Sequence, residues 1–155
     1  MFVLGIDIGT TGTKAILVDE NGKTLKKGYK GYSLITPGED RVEQDARDWW
    51  KAVVYVVREV CTDIDTNKIL ALSLSTQGAS SLLVDNNFNP LTNAITWMDK
   101  RGQKEKEELL ELFGDDYFYY KTGWRLSESL DVVKLKWLRK NEHKLLKKAA
   151  CFASH

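Results

Sequence analysis

Residues Asp7–Lys14 read DIGTTGTK and join two mostly apolar segments, Phe2–Ile8 and Thr13–Asp19. Both segments have the length and composition of β-strands, and Asp19–Gly22 after the second one has the residues of a tight hairpin turn. The spacing GxxxxGK[ST] of a Walker loop is absent, and a strand follows the glycines where that motif has a helix. The pattern therefore predicts a strand–turn–strand hairpin.

The residue types in this turn predict a phosphate-binding site. Gly12 lets a ligand approach the backbone, whose successive N–H groups form a concave anion site, and the hydroxyls of Thr10 and Thr11 add donors. Lys14 adds a positive point charge beside a phosphate. Asp7 is suited to hold Mg²⁺ directly or through its water shell. The alternative is a plain glycine hairpin with a solvated acid.

The remaining pattern predicts a third strand, a crossover helix and a buried parallel strand. Lys23–Ser33 alternates like an exposed strand, and Asp45 is a good N-cap for a helix to about residue 62, with Trp49 and Trp50 on its apolar face. Ile69–Ser75 is an apolar run of strand length. Further strands are expected at Ser80–Val84 and Ala94–Trp97, and helices at 100–113, 115–120 and 129–148.

A sheet that begins antiparallel and continues parallel after a crossover indicates the α/β fold class. We expect a ribonuclease H-like or actin-like ATPase domain, in which a mixed sheet is flanked by helices. The length of 155 residues suits one domain. Such folds carry kinases, nucleases and chaperones, so the fold alone does not select a function.

Composition and charge exclude several classes of protein. The 23 Lys and Arg residues balance 22 Asp and Glu residues, and 43% of the chain is hydrophobic. Disorder and electrostatic attraction to nucleic acid or membranes are therefore not expected. Cys61 and Cys151 lack metal-ligand spacing, and the start of the chain lacks the basic flank of a signal peptide. We expect a cytoplasmic protein with no nucleic-acid or membrane partner.

Four blocks in order along the chain resemble the FGGY carbohydrate kinases. They are Gly5–Lys14, Arg41–Asp45 followed by Trp49 and Trp50, Ser73–Gly78 followed by Ala94–Arg101, and Thr122–Leu138. The first block is shared by hexokinases and other ATPases, whereas the four together cover nearly the whole chain. The resemblance implies that residues 1–155 are the N-terminal kinase domain, truncated, with the C-terminal nucleotide domain absent.

The resemblance also implies phosphoryl transfer from Mg-ATP to a hydroxyl of a sugar or polyol. Asp7 would act on the metal, and the phosphates would contact Thr10, Thr11, Gly12 and Lys14. The implied sugar contacts are Gln77, Gly78, Ala79, Trp97, Asp99, Arg101 and Ser129. Other roles are open at three of these positions: Trp97 as core, Asp99 as a helix cap and Arg101 as the partner of a nearby acid.

The substrate implied by the resemblance is a pentulose or a related sugar or polyol. The glycerol-specific branch has Gln-Arg-Glu where this chain has Gln77-Gly78-Ala79, and a tyrosine at Ser129. Loss of these polar groups disfavours glycerol. The segments Ser-x-Gln-Gly and Trp-Met-Asp-x-Arg are similar to the xylulose kinase-like branch, which often has Met-His after the glutamine, so another ketose, pentose or pentitol stays open.

The family's catalytic base is an aspartate that would lie beyond residue 155. We therefore expect no catalytic residue in this chain and no turnover by the chain alone. His143 and His155 are expected to be solvated rather than to act as bases. An incomplete domain exposes apolar surface, which favours self-association, so a homodimer is a further expectation.

Two other functions are compatible with the sequence. One is a ribonuclease H-like, metal-dependent nuclease or resolvase, in which Asp7, Glu43 and Asp99 surround two metal ions. The neutral net charge argues against it, because such an enzyme should carry a basic face. The other is a non-catalytic, truncated kinase module that binds a partner.

Overall fold

The computed structural model describes residues 1–154 and divides the chain into two compact units. One unit contains Met1–Leu34 and Asp45–Gln77, and the other contains Ile35–Gln44 and the chain from Gly78 onward. His155, one of the two histidines expected to be solvated, lies outside the described residues.

The described residues form nine strands and five α-helices. In chain order they are β1 Phe2–Ile8, β2 Gly12–Asp19, β3 Thr24–Gly31, β4 Ile35–Gly38, β5 Arg41–Gln44, α1 Ala46–Cys61, β6 Ile69–Thr76, β7 Ser81–Val84, β8 Ala94–Ile95, α2 Gln103–Phe113, α3 Asp115–Thr122, α4 Asp131–Asn141, α5 His143–Leu146 and β9 Cys151–Ser154. A short 3-10 turn at Thr66–Lys68 precedes β6. None of the helices in this part of the chain combines the length and apolar character needed to cross a membrane.

The first unit is a four-stranded mixed sheet covered on one face by α1. Its strand order is β3-β2-β1-β6, with β1 antiparallel to β2 and parallel to β6, as the sequence predicts. Alternate residues of β1 and β2 point to one face and form a core with α1. This core contains Leu4, Ile6, Ala15, Leu17, Val56 and Val60. The Asp45 carboxylate accepts a hydrogen bond from the Arg47 N–H, which confirms the predicted N-cap.

The prediction that Ile69–Ser75 forms a buried strand is wrong. β6 is the edge strand of its sheet, and Leu70, Leu72 and Leu74 are all more than half exposed. The physical reason is that α1 packs mainly over β2 and β3 and leaves the β6 side of that face uncovered. Self-association through this surface stays a prediction.

The tryptophan pair of α1 separates into a buried and an exposed residue. Trp49 is buried, whereas the predicted core position of Trp50 is wrong, because this side chain is 69% exposed. Adjacent helix positions lie about 100° apart around the axis, so only one of two neighbouring side chains points directly at the core.

The second unit contains an antiparallel sheet of which the sequence predicted only β7 and β8, the strands expected at Ser80–Val84 and Ala94–Trp97. Its order is β4-β5-β8-β7-β9. β4, β5 and β9 are only four residues long, too short to show a clear alternating pattern, and β4 contains Pro37. The predicted helix at 129–148 is divided into α4 and α5, because Glu142 between them leaves helical geometry with φ −126°.

Candidate functional site

The turn between β1 and β2 is a tight hairpin closed by its two glycines. The Gly9 N–H donates to the Gly12 carbonyl at 3.1 Å, which places Thr10 and Thr11 at the tip. Asp7 on β1 lies directly opposite Lys14 on β2 and beside Ser75 on β6. The fold therefore brings together the predicted metal-binding carboxylate and the predicted phosphate-binding ammonium group.

Two tyrosines brace this hairpin, and the sequence analysis did not single them out. The Tyr29 hydroxyl donates to the Thr11 carbonyl at 3.2 Å, and the Tyr32 hydroxyl donates to the Gly9 carbonyl. Burial raises the pKa of Tyr32, as do the nearby Asp7 and Tyr29, while the neighbouring Thr13 hydroxyl opposes the shift. In the sequence, the two tyrosines are marked only by their positions: Tyr29 lies in β3, and Tyr32 follows it directly after Gly31.

Gly12 has no room for a side chain. A Cβ atom at this position would lie 2.7 Å from the Lys30 carbonyl oxygen and 2.7 Å from the Tyr29 ring. We expect Gly12→Ala to lower the free energy of unfolding by about 1–3 kcal/mol, because the backbone of β3 must shift. Urea unfolding measures this loss. Gly38→Ala is the control, since its Cβ would meet only Arg41 Cδ at 4.0 Å; equal losses in the two variants would contradict the close packing at Gly12.

A groove of about 320 Å³ lies beside Asp7 on the sheet of the first unit. Asp7, Lys14, Ser73 and Ser75 line it together with Gly5 and neighbouring apolar residues, and most of its accessible surface is apolar. Within this lining, the Asp7 carboxylate is the group suited to Mg²⁺, which commonly keeps several waters and uses one or two carboxylates together with substrate phosphates.

The described residues contain no cluster of three or more His, Cys, Asp or Glu side chains placed to hold a metal ion. The two-metal arrangement of Asp7, Glu43 and Asp99 in the nuclease hypothesis is therefore not found. The Glu43 and Asp99 carboxylates are instead paired with Arg101.

The predicted sugar loop begins where β6 ends. In the first unit, the Gln77 N–H donates to the Ile8 carbonyl at 2.9 Å and so fixes the start of the loop to the end of β1. In the second unit, Gly78 faces open space, with no atom within 4 Å of where a Cβ would be. Ala79 has φ +53°, a left-handed conformation that is uncommon outside glycine.

Asp99 and Arg101 form a buried ion pair with Glu43. The Asp99 carboxylate accepts from the Val42 N–H at 2.7 Å and from the Arg101 N–H, Nε and a terminal guanidinium nitrogen at 2.8–3.0 Å. The same guanidinium nitrogen donates to Glu43, and the group lies 5.0 Å from the centre of the Trp137 ring. Burial lowers the pKa of Arg101, but the hydrogen bonds to Asp99 and Glu43 outweigh it and raise the pKa above its ordinary value.

These contacts give Asp99 and Arg101 a structural role, and a direct sugar contact stays a prediction for both. The alternative of Arg101 as the partner of a nearby acid has geometric support. Trp97 is 48% exposed, which argues against a core role. Ser129 is half-buried before α4, with its hydroxyl 2.8 Å from that of Ser127.

Lys134 lies in the fourth of the blocks that resemble the kinase family, but the sequence analysis gave it no role in the site. Its side chain is buried, and its Nζ donates to the carbonyl of Ala79 and, at 3.1 Å, to the carbonyl of Ile95. Burial lowers the pKa of Lys134 to about 8, although Asp131 and Asp99 oppose the shift and Arg101 adds to it. A sequence signal exists, because this lysine lies among the apolar positions of α4.

The lowered pKa predicts a pH-dependent contribution of Lys134 to stability. Between the folded pKa of about 8 and the unfolded value of 10.5, the unfolded chain binds more protons, so the contribution of this group to the free energy of unfolding rises with pH. We expect the stability of the wild type relative to Lys134→Met to increase by about 2–3 kcal/mol from pH 7 to pH 10. Urea unfolding of both proteins at pH 7 and pH 10 measures this increase. A stability difference between wild type and Lys134→Met that does not change with pH would contradict the prediction.

Comparison with known proteins gives a consistent result. Residues 2–155 match the family model described as FGGY family of carbohydrate kinases, N-terminal domain. A gluconokinase from Bacillus subtilis (strain 168) is 32% identical over 148 residues, which are 96% of this chain and 29% of that protein. A xylulose kinase from the same organism is 33% identical over 153 residues, covering 97% of this chain and 30% of that protein.

A solved structure has the same fold as this chain. The ligand-bound xylulose kinase from Lactobacillus acidophilus matches with a TM-score of 0.91 at 30% identity, covering 97% of this chain and 31% of that one. The chain thus spans less than a third of the length of these relatives.

Proposed function

Because this chain belongs to the FGGY family of carbohydrate kinases, with an actin-like ATPase fold, we propose that it forms the sugar- and phosphate-binding part of an ATP-dependent kinase. The reaction is transfer of the terminal phosphoryl group of Mg-ATP to a hydroxyl of a sugar or polyol. The observation that carries the proposal is the β1–β2 hairpin, in which Asp7 faces Lys14 beneath a turn containing Thr10 and Thr11.

The hairpin is assigned to the phosphates of ATP. Lys14 supplies a positive charge, Thr10 and Thr11 supply hydroxyl donors, and Gly12, which is buried against Tyr29 and Lys30, is proposed to set the shape of the turn that binds the phosphates. Asp7 would hold Mg²⁺ directly or through its water shell. When bound, the metal neutralises charge that develops on the phosphoryl oxygens, which is a large part of catalysis in kinases.

The sugar is assigned to the loop after β6 and the segment after β8. Gln77, Gly78 and Ala79 offer one amide side chain and accessible backbone, and the exposed ring of Trp97 offers an apolar surface for the carbon face of a sugar. Ser129 is proposed at the same rim. Asp99 and Arg101 are proposed to support the rim through their ion pair, and a direct contact of either with the sugar stays a prediction.

The proposed substrate is a pentulose or a related sugar, sugar acid or polyol. Relatives named xylulose kinase and gluconokinase support five- and six-carbon candidates, whereas other relatives of similar identity are named glycerol kinase. Gly78 and Ala79 supply no charged side chain to hold glycerol, a ligand with few hydroxyl groups, so glycerol is disfavoured.

No general base is assigned within the described residues. The carboxylate of Asp99 is occupied by the hydrogen bonds from Val42 and Arg101, and that of Glu43 by Arg101 and Asn93. The relatives are more than three times as long as this chain. The chain alone is expected to bind ligands without turnover.

A binding and turnover experiment tests this function. The chain is titrated calorimetrically with D-xylulose, D-ribulose, D-gluconate, erythritol and glycerol, and ADP release from Mg-ATP is followed with each. We expect binding of at least one five- or six-carbon compound, weak or absent glycerol binding, and no release of ADP. Absence of both sugar and Mg-ATP binding would contradict the proposal, and sugar-dependent ADP release would show that a base lies within these residues.

A further inference from the structure

We propose that Lys134 is a positioning residue for sugar binding: its ammonium group joins the backbone of the loop at Ala79 to the end of β8 at Ile95 and so fixes the two segments that carry the proposed sugar contacts. This inference rests on the proposed function, because it concerns the loop at Gly78 and Ala79 and the segment at Trp97. The contacts themselves lie entirely within the second unit.

The first support is the place of the two carbonyl acceptors. Ala79 lies two residues before Ser81, the first residue of β7, and Ile95 is the last residue of β8. Ser81 at the start of β7 pairs with Ile95 at the end of β8. The chain before β7 and the chain after β8 therefore leave the sheet at the same end of these two strands. Lys134 donates to both acceptors from the first half of α4. A single buried cation thus bridges them.

The second support is the backbone conformation of Ala79. An alanine at φ +53° is in a sparsely populated region and persists where its surroundings hold it. The hydrogen bond from Lys134 to the carbonyl of this residue is such a constraint. Asp131, one turn earlier in α4, adds a second one, because its carboxylate accepts a hydrogen bond from the Ser81 hydroxyl.

The third support is that burial of a lysine is costly unless its charge is satisfied. Lys134 is fully enclosed, and Asp131, Asp99 and Arg101 are the charged groups that act on it. An apolar side chain would fill the same space without desolvating a charge. The two backbone acceptors therefore indicate that the ammonium group serves to hold these segments.

The test compares Lys134→Met with Lys140→Met in calorimetric titrations of the chain with D-xylulose and D-gluconate. Methionine has similar length and no donor, and Lys140 lies in the same helix but is itself exposed, where it pairs with the buried Glu105 and the partly exposed Glu108. We expect Lys134→Met to weaken sugar binding by about tenfold or more, since misplacing a binding group by about 1 Å has effects of that size. Lys140→Met is expected to leave sugar affinity unchanged, and affinity for Mg-ATP to be unchanged in both variants.

Equal sugar affinities for the wild type and Lys134→Met would overturn the proposal. Equal losses of sugar and Mg-ATP affinity would also overturn it, because they indicate general destabilisation. If the wild type binds neither sugar, the proposed sugar site of this chain fails, and an NMR measurement then decides the role of Lys134 by itself.

That NMR measurement needs no folded variant. In the wild type, the carbonyl ¹³C shifts of Ala79 and Ile95 should titrate together with the Cε signal of Lys134, with a midpoint near the pKa of about 8. Carbonyl shifts that do not follow the lysine would overturn the proposal. A separate NMR measurement uses Lys134→Met, in which the amide signals of Gly78–Ser80 and Thr96–Trp97 should move while those of α2 and α3 stay in place.

Discussion

Arg101→Met is expected to lower the free energy of unfolding by about 3–5 kcal/mol, the range measured when one partner of a buried ion pair is removed. The substitution leaves the enclosed Asp99 carboxylate without its guanidinium donors and Glu43 without its charged partner. It also removes the contact with the Trp137 ring. Urea unfolding followed by tryptophan fluorescence measures the loss.

A surface arginine provides the matched control. Arg125 pairs with Asp115 and Asp116 but is 61% exposed, so Arg125→Met is expected to cost at most about 1 kcal/mol. Arg101→Lys should recover only part of the loss, because an ammonium group cannot reproduce the planar fork that spans both carboxylates. Similar losses for Arg101→Met and Arg125→Met would show that the buried network contributes little.

Asp7→Asn is expected to remove most of the effect of Mg²⁺ on ATP binding. Groups that hold a metal through its water shell change metal affinity by about 10- to 100-fold when they are replaced, and we expect a loss of that size. Without Mg²⁺ the variant should bind ATP as well as the wild type or better, because a negative charge beside the phosphates is gone. Calorimetric titration with ATP, in Mg²⁺ and in EDTA, measures both affinities.

The control for this experiment is Glu20→Gln, which removes one negative charge at an exposed position that pairs with the N-terminus. It should bind Mg-ATP as the wild type does. A wild-type affinity that is the same in Mg²⁺ and in EDTA, or an Asp7→Asn variant that keeps its Mg²⁺ dependence, would contradict the role proposed for Asp7.

The first unit shows how far local sequence patterns reach. The hairpin, the helix with its N-cap at Asp45, and the parallel strand after the crossover are all present as predicted. Each is encoded by residues close together in sequence, through side-chain periodicity, turn residues and capping. The exposure of β6 was not predictable in this way, because it depends on which strands the helix α1 happens to cover.

The second unit shows the opposite case. The hydrogen bond from Val42 to Asp99 spans 57 residues, the one from Arg101 to Glu43 spans 58, and the one from Lys134 to Ala79 spans 55. The sequence shows that these residues can pair but contains no spacing that selects their partners. The partners of short strands such as β5 and β9 cannot be read from their own residues either, because their pairing is decided by the neighbouring strand.

The sequence by itself therefore determined the kinase family, the β1–β2 hairpin and the residue types of the candidate site, because each rests on local motifs. The tertiary structure alone decided that Asp99 and Arg101 satisfy each other, that the Trp97 ring is exposed, and that a buried Lys134 holds the loop at Ala79. The reason is physical: burial and long-range hydrogen bonds depend on which distant segments the fold brings into contact, and local patterns do not contain that information.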